Sequence, residues 1–119
     1  MTYDKNNIFA KIISGEINTD RIYEDDKVIA INDINPAAPI HILIIPKENY
    51  VDFADFVNNA NSEYIAHYYK IINKIAKDNG ADEYRLVTNK GAAAGQSVFH
   101  FHTHLLANMS THELINKNL

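Results

Sequence analysis

Gly95-Gln96-Ser97-Val98-Phe99-His100-Phe101-His102-Thr103-His104-Leu105-Leu106 is the stretch that decides how this chain is read. Three of the six histidines stand there at alternate positions. Strict alternation predicts a β-strand, because successive side chains leave opposite faces of the pleat. Histidines two apart then repeat at roughly 6.6 Å along one face. Phe99, Phe101, Thr103 and Leu105 turn the other way, and that mostly apolar side is expected to bury against a core. Packing alone does not call for a row of three imidazoles.

Three explanations compete for the row. A lone histidine on a strand is usually a surface or hydrogen-bonded core residue, but three on one face after a Gly-Gln-Ser turn signal are not. A metal site is possible in principle, since His-x-His on a strand can place two ligands around one ion. The chain has no cysteine, however, and no Asp or Glu lies between Tyr84 and His112. The expectation is therefore no metal and no cofactor. That leaves imidazole as nucleophile and phosphate ligand, for which neutral and charged forms near pH 7 are both useful.

The totals narrow the class. At 119 residues, 46% hydrophobic and 22% charged, the chain has the composition of one soluble globular domain. A net charge of −4 argues against nucleic acid as a partner, which would demand a basic stripe. Phosphate on a ligand must then be held by local groups. The absence of cysteine excludes disulfides and thiolate chemistry and fits a reducing, cytoplasmic interior. Met1-Thr2-Tyr3-Asp4-Lys5 lacks the apolar core of a signal peptide. Apolar runs such as Ile42 to Ile45 are too short to span a bilayer, so no membrane is expected. Richness in Ile, Asn, Lys and Tyr, with only Arg21 and Arg85 as arginines, suggests an AT-rich bacterial genome.

Along the chain, Asn6 and Asn7 can cap a short helix carrying Ile8, Phe9, Ile12 and Ile13, with Gly15 as its stop. Its apolar stripe suits both a lid on the sheet and a wall for a flat ligand. Arg21 to Glu24 and Lys27 to Asn32 read as strands around an Asp25-Asp26 turn. Asn35-Pro36-Ala37-Ala38-Pro39 is a rigid loop, and Ile40 to Ile45 is the most strand-like run. His41 interrupts that run; alone it is a core histidine, but beside the later triplet it becomes a candidate site member. A loop and short helix cover Tyr50 to Val57. Asn61-Ser62 caps a long helix to about Asp78, buried through Ile65, Tyr68, Ile72 and Ile75. Tyr84 to Asn89 is a further strand. Lys90-Gly91-Ala92-Ala93-Ala94-Gly95 follows, a loop whose glycines let backbone N–H groups approach an anion. The expected class is α+β: a five-stranded antiparallel meander with one long and one short helix. Its domain core spans about 7–109, and a short polar tail follows over 110–119.

His100-Phe101-His102-Thr103-His104-Leu105-Leu106 resembles the histidine triad motif, His-φ-His-φ-His-φ-φ with φ hydrophobic, that names the HIT family. The resemblance runs from Ile8-Phe9-Ala10-Lys11-Ile12-Ile13 through Glu24-Asp25-Asp26 to Asp33-Ile34-Asn35-Pro36-Ala37-Ala38-Pro39-Ile40-His41. It continues in Ile45-Pro46-Lys47, Asn89 and Gly95-Gln96-Ser97-Val98-Phe99, and is nearest to the Hint-like branch, the purine nucleoside phosphoramidases. It implies a homodimer joined through a continuous sheet, with purine nucleotides of the AMP and GMP type as substrates.

Carried over by position, the resemblance makes His102 the nucleophile and the bearer of a nucleotidyl-histidine intermediate. The His100 carbonyl would fix the Nδ1–H tautomer of His102, while His104 and His41 would contact α-phosphate oxygens. Ser97 would assist the phosphate and leaving group, with Asn89, Gly95 and Gln96 lining the phosphate side. Asp33 would accept from the ribose hydroxyls beside Ile34. Phe9, Ile12 and Ile31 would sandwich the base, with Asn32 at the base pocket. Two other roles fit the same residues: dinucleoside polyphosphate hydrolysis, and a nucleotide-binding interaction module with vestigial catalysis.

Overall fold

The run Ile40-His41-Ile42-Leu43-Ile44-Ile45-Pro46 becomes the strand on which the other elements assemble. In the computed structural model, which describes residues 2–108, the chain begins with α1 (Ile8–Ser14), β1 (Tyr23–Glu24), β2 (Val28–Asn32) and β3 (Ile40–Pro46). Two helices follow, α2 (Phe53–Asn59) and α3 (Ser62–Asp78), then β4 (Tyr84–Val87), a 3-10 turn at Ala92–Ala94 and β5 (Thr103–Ala107). The predicted polar tail and Met109 lie outside the described residues.

The α+β class and the five-stranded antiparallel sheet are as expected, but the meander is not. Strand order is β1-β2-β3-β5-β4, so the last strand inserts between β3 and β4. Burial explains the placement. All five residues of β5 are buried, as a central strand requires, whereas β4 is half-exposed and takes the edge. The expected single short helix is also joined by a second, α2, where the sequence showed a loop and short helix.

Local signals set the helix ends. Asn7 caps α1 by accepting from the Ala10 N–H, and Gly15 closes it in the left-handed region at φ 86°. Asn61 caps α3 in the same way through the Tyr64 N–H. α3 and α2 cover one face of the sheet, where Tyr64, Tyr68, Ile72, Ile75 and Phe56 pack on Val28, Ala30, Ile42, Ile44, Phe101 and Leu105. α1 covers part of the other, placing Phe9 and Ile12 on Ile29, Ile31, Leu43 and Ile45. With both faces covered, β2 and β3 read as near-continuous apolar runs where a half-exposed strand would alternate.

One polar contact ties the large core together. The Tyr68 hydroxyl lies 2.8 Å from the Ile44 carbonyl oxygen and 2.7 Å from Thr103 Oγ1, with all three groups buried. It donates to the carbonyl and shares a hydrogen bond with the threonine, joining α3 to β3 and β5. Tyr68→Phe strips both partners inside the core and is expected to destabilise the fold by about 1–3 kcal/mol. Urea unfolding should show this as a lower midpoint at unchanged slope.

Candidate active site

The ladder between β3 and β5 pairs Ile40 with Ala107 and proceeds to Ile44 with Thr103. Continued in register it would set Phe101 against Pro46, which has no N–H to give. It stops there instead. The Phe101 N–H donates to the Tyr50 carbonyl at 2.7 Å, and the Pro46 carbonyl accepts from the His100 ring at 2.6 Å. His104 is therefore the one triad histidine in a strand, and His100 and His102 precede it in irregular chain. The expected row of three equivalent imidazoles on one pleated face is corrected accordingly. The three rings occupy three different environments.

Backbone groups that can act in only one sense fix the ring protons. The His100 carbonyl can only accept, so His102, whose Nδ1 lies 2.7 Å from it, carries its proton on Nδ1. Its Nε2 keeps a lone pair. The Ala37 N–H can only donate, so His41 Nδ1, 2.9 Å away, is bare and the His41 proton sits on Nε2. That Nε2–H donates at 2.9 Å to His104 Nδ1, which leaves His104 protonated on Nε2. The two functional rings thus hold opposite tautomers: His102 offers a lone pair and His104 a donor.

Burial keeps these rings neutral. It pushes His104 down to about 4, helped by the neighbouring His102 and His41, and pushes His100 down to about 4 against the pull of the Pro46 carbonyl. It lowers His102 too, opposed by the His100 carbonyl and Asp33. His41 is also lowered by burial, with Asp33 pulling the other way. A bare His102 Nε2 at pH 7 follows directly.

A cavity of about 480 Å³ opens beside these rings. Of the residues singled out in the sequence, Phe9, Ile12, Ile31, Asn32, Asp33, Ile34, Gly95, Ser97, His102 and His104 line it. His41 and His100 do not; they stand buried behind it. Asn89, beyond the end of β4, is also outside the lining. Gln96 is a buried brace: its Oε1 accepts from Gly91 N–H and its Nε2 donates to the Val51 and Val98 carbonyls. It holds the loop in which Gly91 and Gly95 adopt left-handed φ values of 91° and 99°. Leu43 and Val98 line the cavity without having been anticipated. Leu43 was legible, since it lies two residues from His41 and shares its face.

Asp33 enters twice. Its Oδ1 accepts from the Asn35 N–H at 2.8 Å, and its Oδ2 lies 3.3 Å from His41 Nε2. Asp33, His41 and His104 also bring potential ligand atoms within 4.8 Å of one another. The Ala37 N–H leaves His41 only Nε2 for that purpose, and Nε2 carries the proton. The donor set fits a hydrogen-bond relay better than a cation.

Residues 14–111 match the HIT domain model. The chain belongs to the HIT family. It is 45% identical to an uncharacterised HIT-like protein of Rickettsia prowazekii over 98% of both chains. Among solved structures, a HIT family hydrolase from Clostridium thermocellum is 46% identical with TM-score 0.85, over 95% of this chain and 99% of that one. A histidine triad protein from Clostridium difficile is 40% identical with TM-score 0.84, over 96% of this chain and all of that one. No helix among the described residues is long and apolar enough to cross a membrane.

The depressed imidazoles make stability depend on pH. Below about 6.5 an unfolded histidine takes a proton, while native His100 and His104 stay neutral down to about 4. The unfolded state then binds more protons, so stability is complete above 6.5 and falls as pH drops toward 4. Each of these two rings removes on the order of 3 kcal/mol across that window. Denaturant midpoints at pH 7.5 and 4.5 should differ in that sense, and His100→Asn should shrink the difference.

Proposed function

We propose that this HIT-family chain hydrolyses purine nucleoside phosphoramidates through a nucleotidyl-histidine intermediate on His102. The observation that carries the reading is the pair of opposite tautomers facing one cavity: a bare His102 Nε2 beside the His104 Nε2–H. Phosphoryl transfer needs a nucleophile unprotonated at neutral pH and donors where charge spreads over phosphate oxygens. His102 meets the first need, and His104 with Ser97 meets the second.

In this scheme Nε2 attacks the α-phosphorus, the P–N bond to the leaving amine breaks, and the amine takes a proton from the Ser97 or His104 side. The attacked imidazole gains positive character. Its Nδ1–H already points at the His100 carbonyl, which stabilises that charge. Water then attacks phosphorus, returns its proton to the group that protonated the amine, breaks the bond to Nε2 to release the nucleoside monophosphate, and so restores the lone pair on His102. Phe9, Ile12 and Ile31 supply apolar walls for a flat base, and Asp33 retains lone pairs for ribose hydroxyls.

Adenosine 5'-phosphoramidate is expected to be cleaved without added metal, with rapid-quench mass spectrometry trapping an adenylyl adduct on His102. His102→Ala should abolish turnover and adduct while retaining nucleotide binding. Normal turnover in that variant would contradict the scheme. Faster cleavage of a dinucleoside polyphosphate than of the phosphoramidate would move the assignment to that substrate class. The reading includes a homodimer joined at β4, an edge strand whose Leu86 is 42% exposed. Sedimentation equilibrium should give twice the chain mass, and Leu86→Lys should shift it toward the monomer.

A further inference from the structure

His100 is fully buried, and its Nε2–H donates to the Pro46 carbonyl. Its Nδ1 is then a bare lone pair inside the protein, where an acceptor without a donor costs free energy. The donor comes from outside the sheet and all three helices. The Tyr3 hydroxyl lies 2.5 Å from that nitrogen, with the rings edge-on at 5.5 Å. Burial raises Tyr3 above its ordinary pKa, so the hydroxyl keeps the proton it donates.

The segment carrying Tyr3 is itself anchored. Asp4 Oδ1 accepts from the Asn6 N–H at 2.8 Å, and the Asp4 carbonyl accepts from Asn7 Nδ2 at 2.7 Å. Asn7 in turn caps α1, and Phe9 of α1 lies edge-on to the His102 ring at 4.9 Å. Tyr3 does not line the cavity.

We propose that Tyr3 is a positioning residue for the nucleophile. Its hydroxyl locks the His100 ring between two opposed partners, and so holds the His100 carbonyl that fixes the proton of His102. The inference deepens the phosphoramidase reading and rests on it for its kinetic consequence. Without the hydroxyl, His100 Nδ1 must find another donor by ring rotation or proton exchange. Either change shifts the peptide on which the His102 tautomer depends, and displacements well under 1 Å suffice to slow a positioned reaction.

The test compares Tyr3→Phe and Tyr3→Ala in the full chain. Steady-state kinetics on adenosine 5'-phosphoramidate are combined with two-bond proton–nitrogen spectra of the histidine rings. Tyr3→Phe is expected to lower kcat about tenfold with KM changed less than twofold, since it disturbs geometry and not the cavity walls. His102 should pass from a pure Nδ1–H pattern to a tautomer mixture. Because both variants lose the hydroxyl, Phe should reproduce most of the slowing that Ala produces. A Phe variant with wild-type kcat and an unchanged His102 pattern overturns the proposal, and slowing confined to Ala would assign Tyr3 to packing. If the wild type cleaves no phosphoramidate, the reaction reading fails, and the ring spectra still decide whether Tyr3 sets the His102 tautomer.

Discussion

Pro46 has no N–H, and the geometry of the site follows from where that ends the β3–β5 ladder. Had the ladder continued, Phe101 would have bonded across to β3 and His100, His102 and His104 would have pointed out together. Released from pairing, the chain turns so that the His100 ring goes inward to the Pro46 carbonyl and its own carbonyl swings to His102. One missing donor thus separates a buried scaffold histidine from one that faces the cavity. β5 begins immediately afterwards, clasped by Ile44 on one side and β4 on the other, so His104 stays rigid on the strand.

The same economy of backbone groups governs protonation. His41, His100 and His102 each meet a main-chain group that can only give or only take, and His104 inherits its tautomer from His41. No titration is needed to prepare the site, because the fold assigns every proton before a ligand arrives. Burial reinforces the assignment by holding the rings below neutrality. A charged ring at His41 would put a proton against the Ala37 N–H, and one at His102 would lose the bare Nε2.

Much of this was legible in the sequence. The caps at Asn7 and Asn61, the stop at Gly15 and the apolar run of β3 follow local rules, and the structure reproduces them. His41 was legible as an oddity in an apolar strand. What was not legible depends on register and on distance along the chain. Alternation over 99–105 describes a strand well, but cannot show that Pro46 lies opposite Phe101 and ends it. Insertion of β5 between β3 and β4 reflects burial of both its faces, which a five-residue run of Thr, His, Leu, Leu and Ala does not declare. The family resemblance set Gln96 on the phosphate side, and its three partners in the structure show how it braces the loop. Tyr3, 97 positions from His100, has no local signal at all.

The electrostatic balance of the cavity sharpens what it can hold. Among the described residues lining it there is no lysine or arginine, and Asp33 is the carboxylate. A phosphate entering such a site meets neutral donors such as the His104 Nε2–H, which attract it less strongly than fixed cations would in the ground state. In the proposed scheme the His102 ring would become cationic on bonding to phosphorus, and the nearby Asp33 charge and the His100 carbonyl dipole would stabilise that ring. The interaction would then be stronger as the bond forms than before attack, which is the condition for accelerating a step and not merely tightening binding. It also accounts for the chain's net charge of −4 being compatible with an anionic substrate. On that scheme attraction would be generated at one ring, by the reaction, and would disappear again when water restored the neutral imidazole and the product phosphate left.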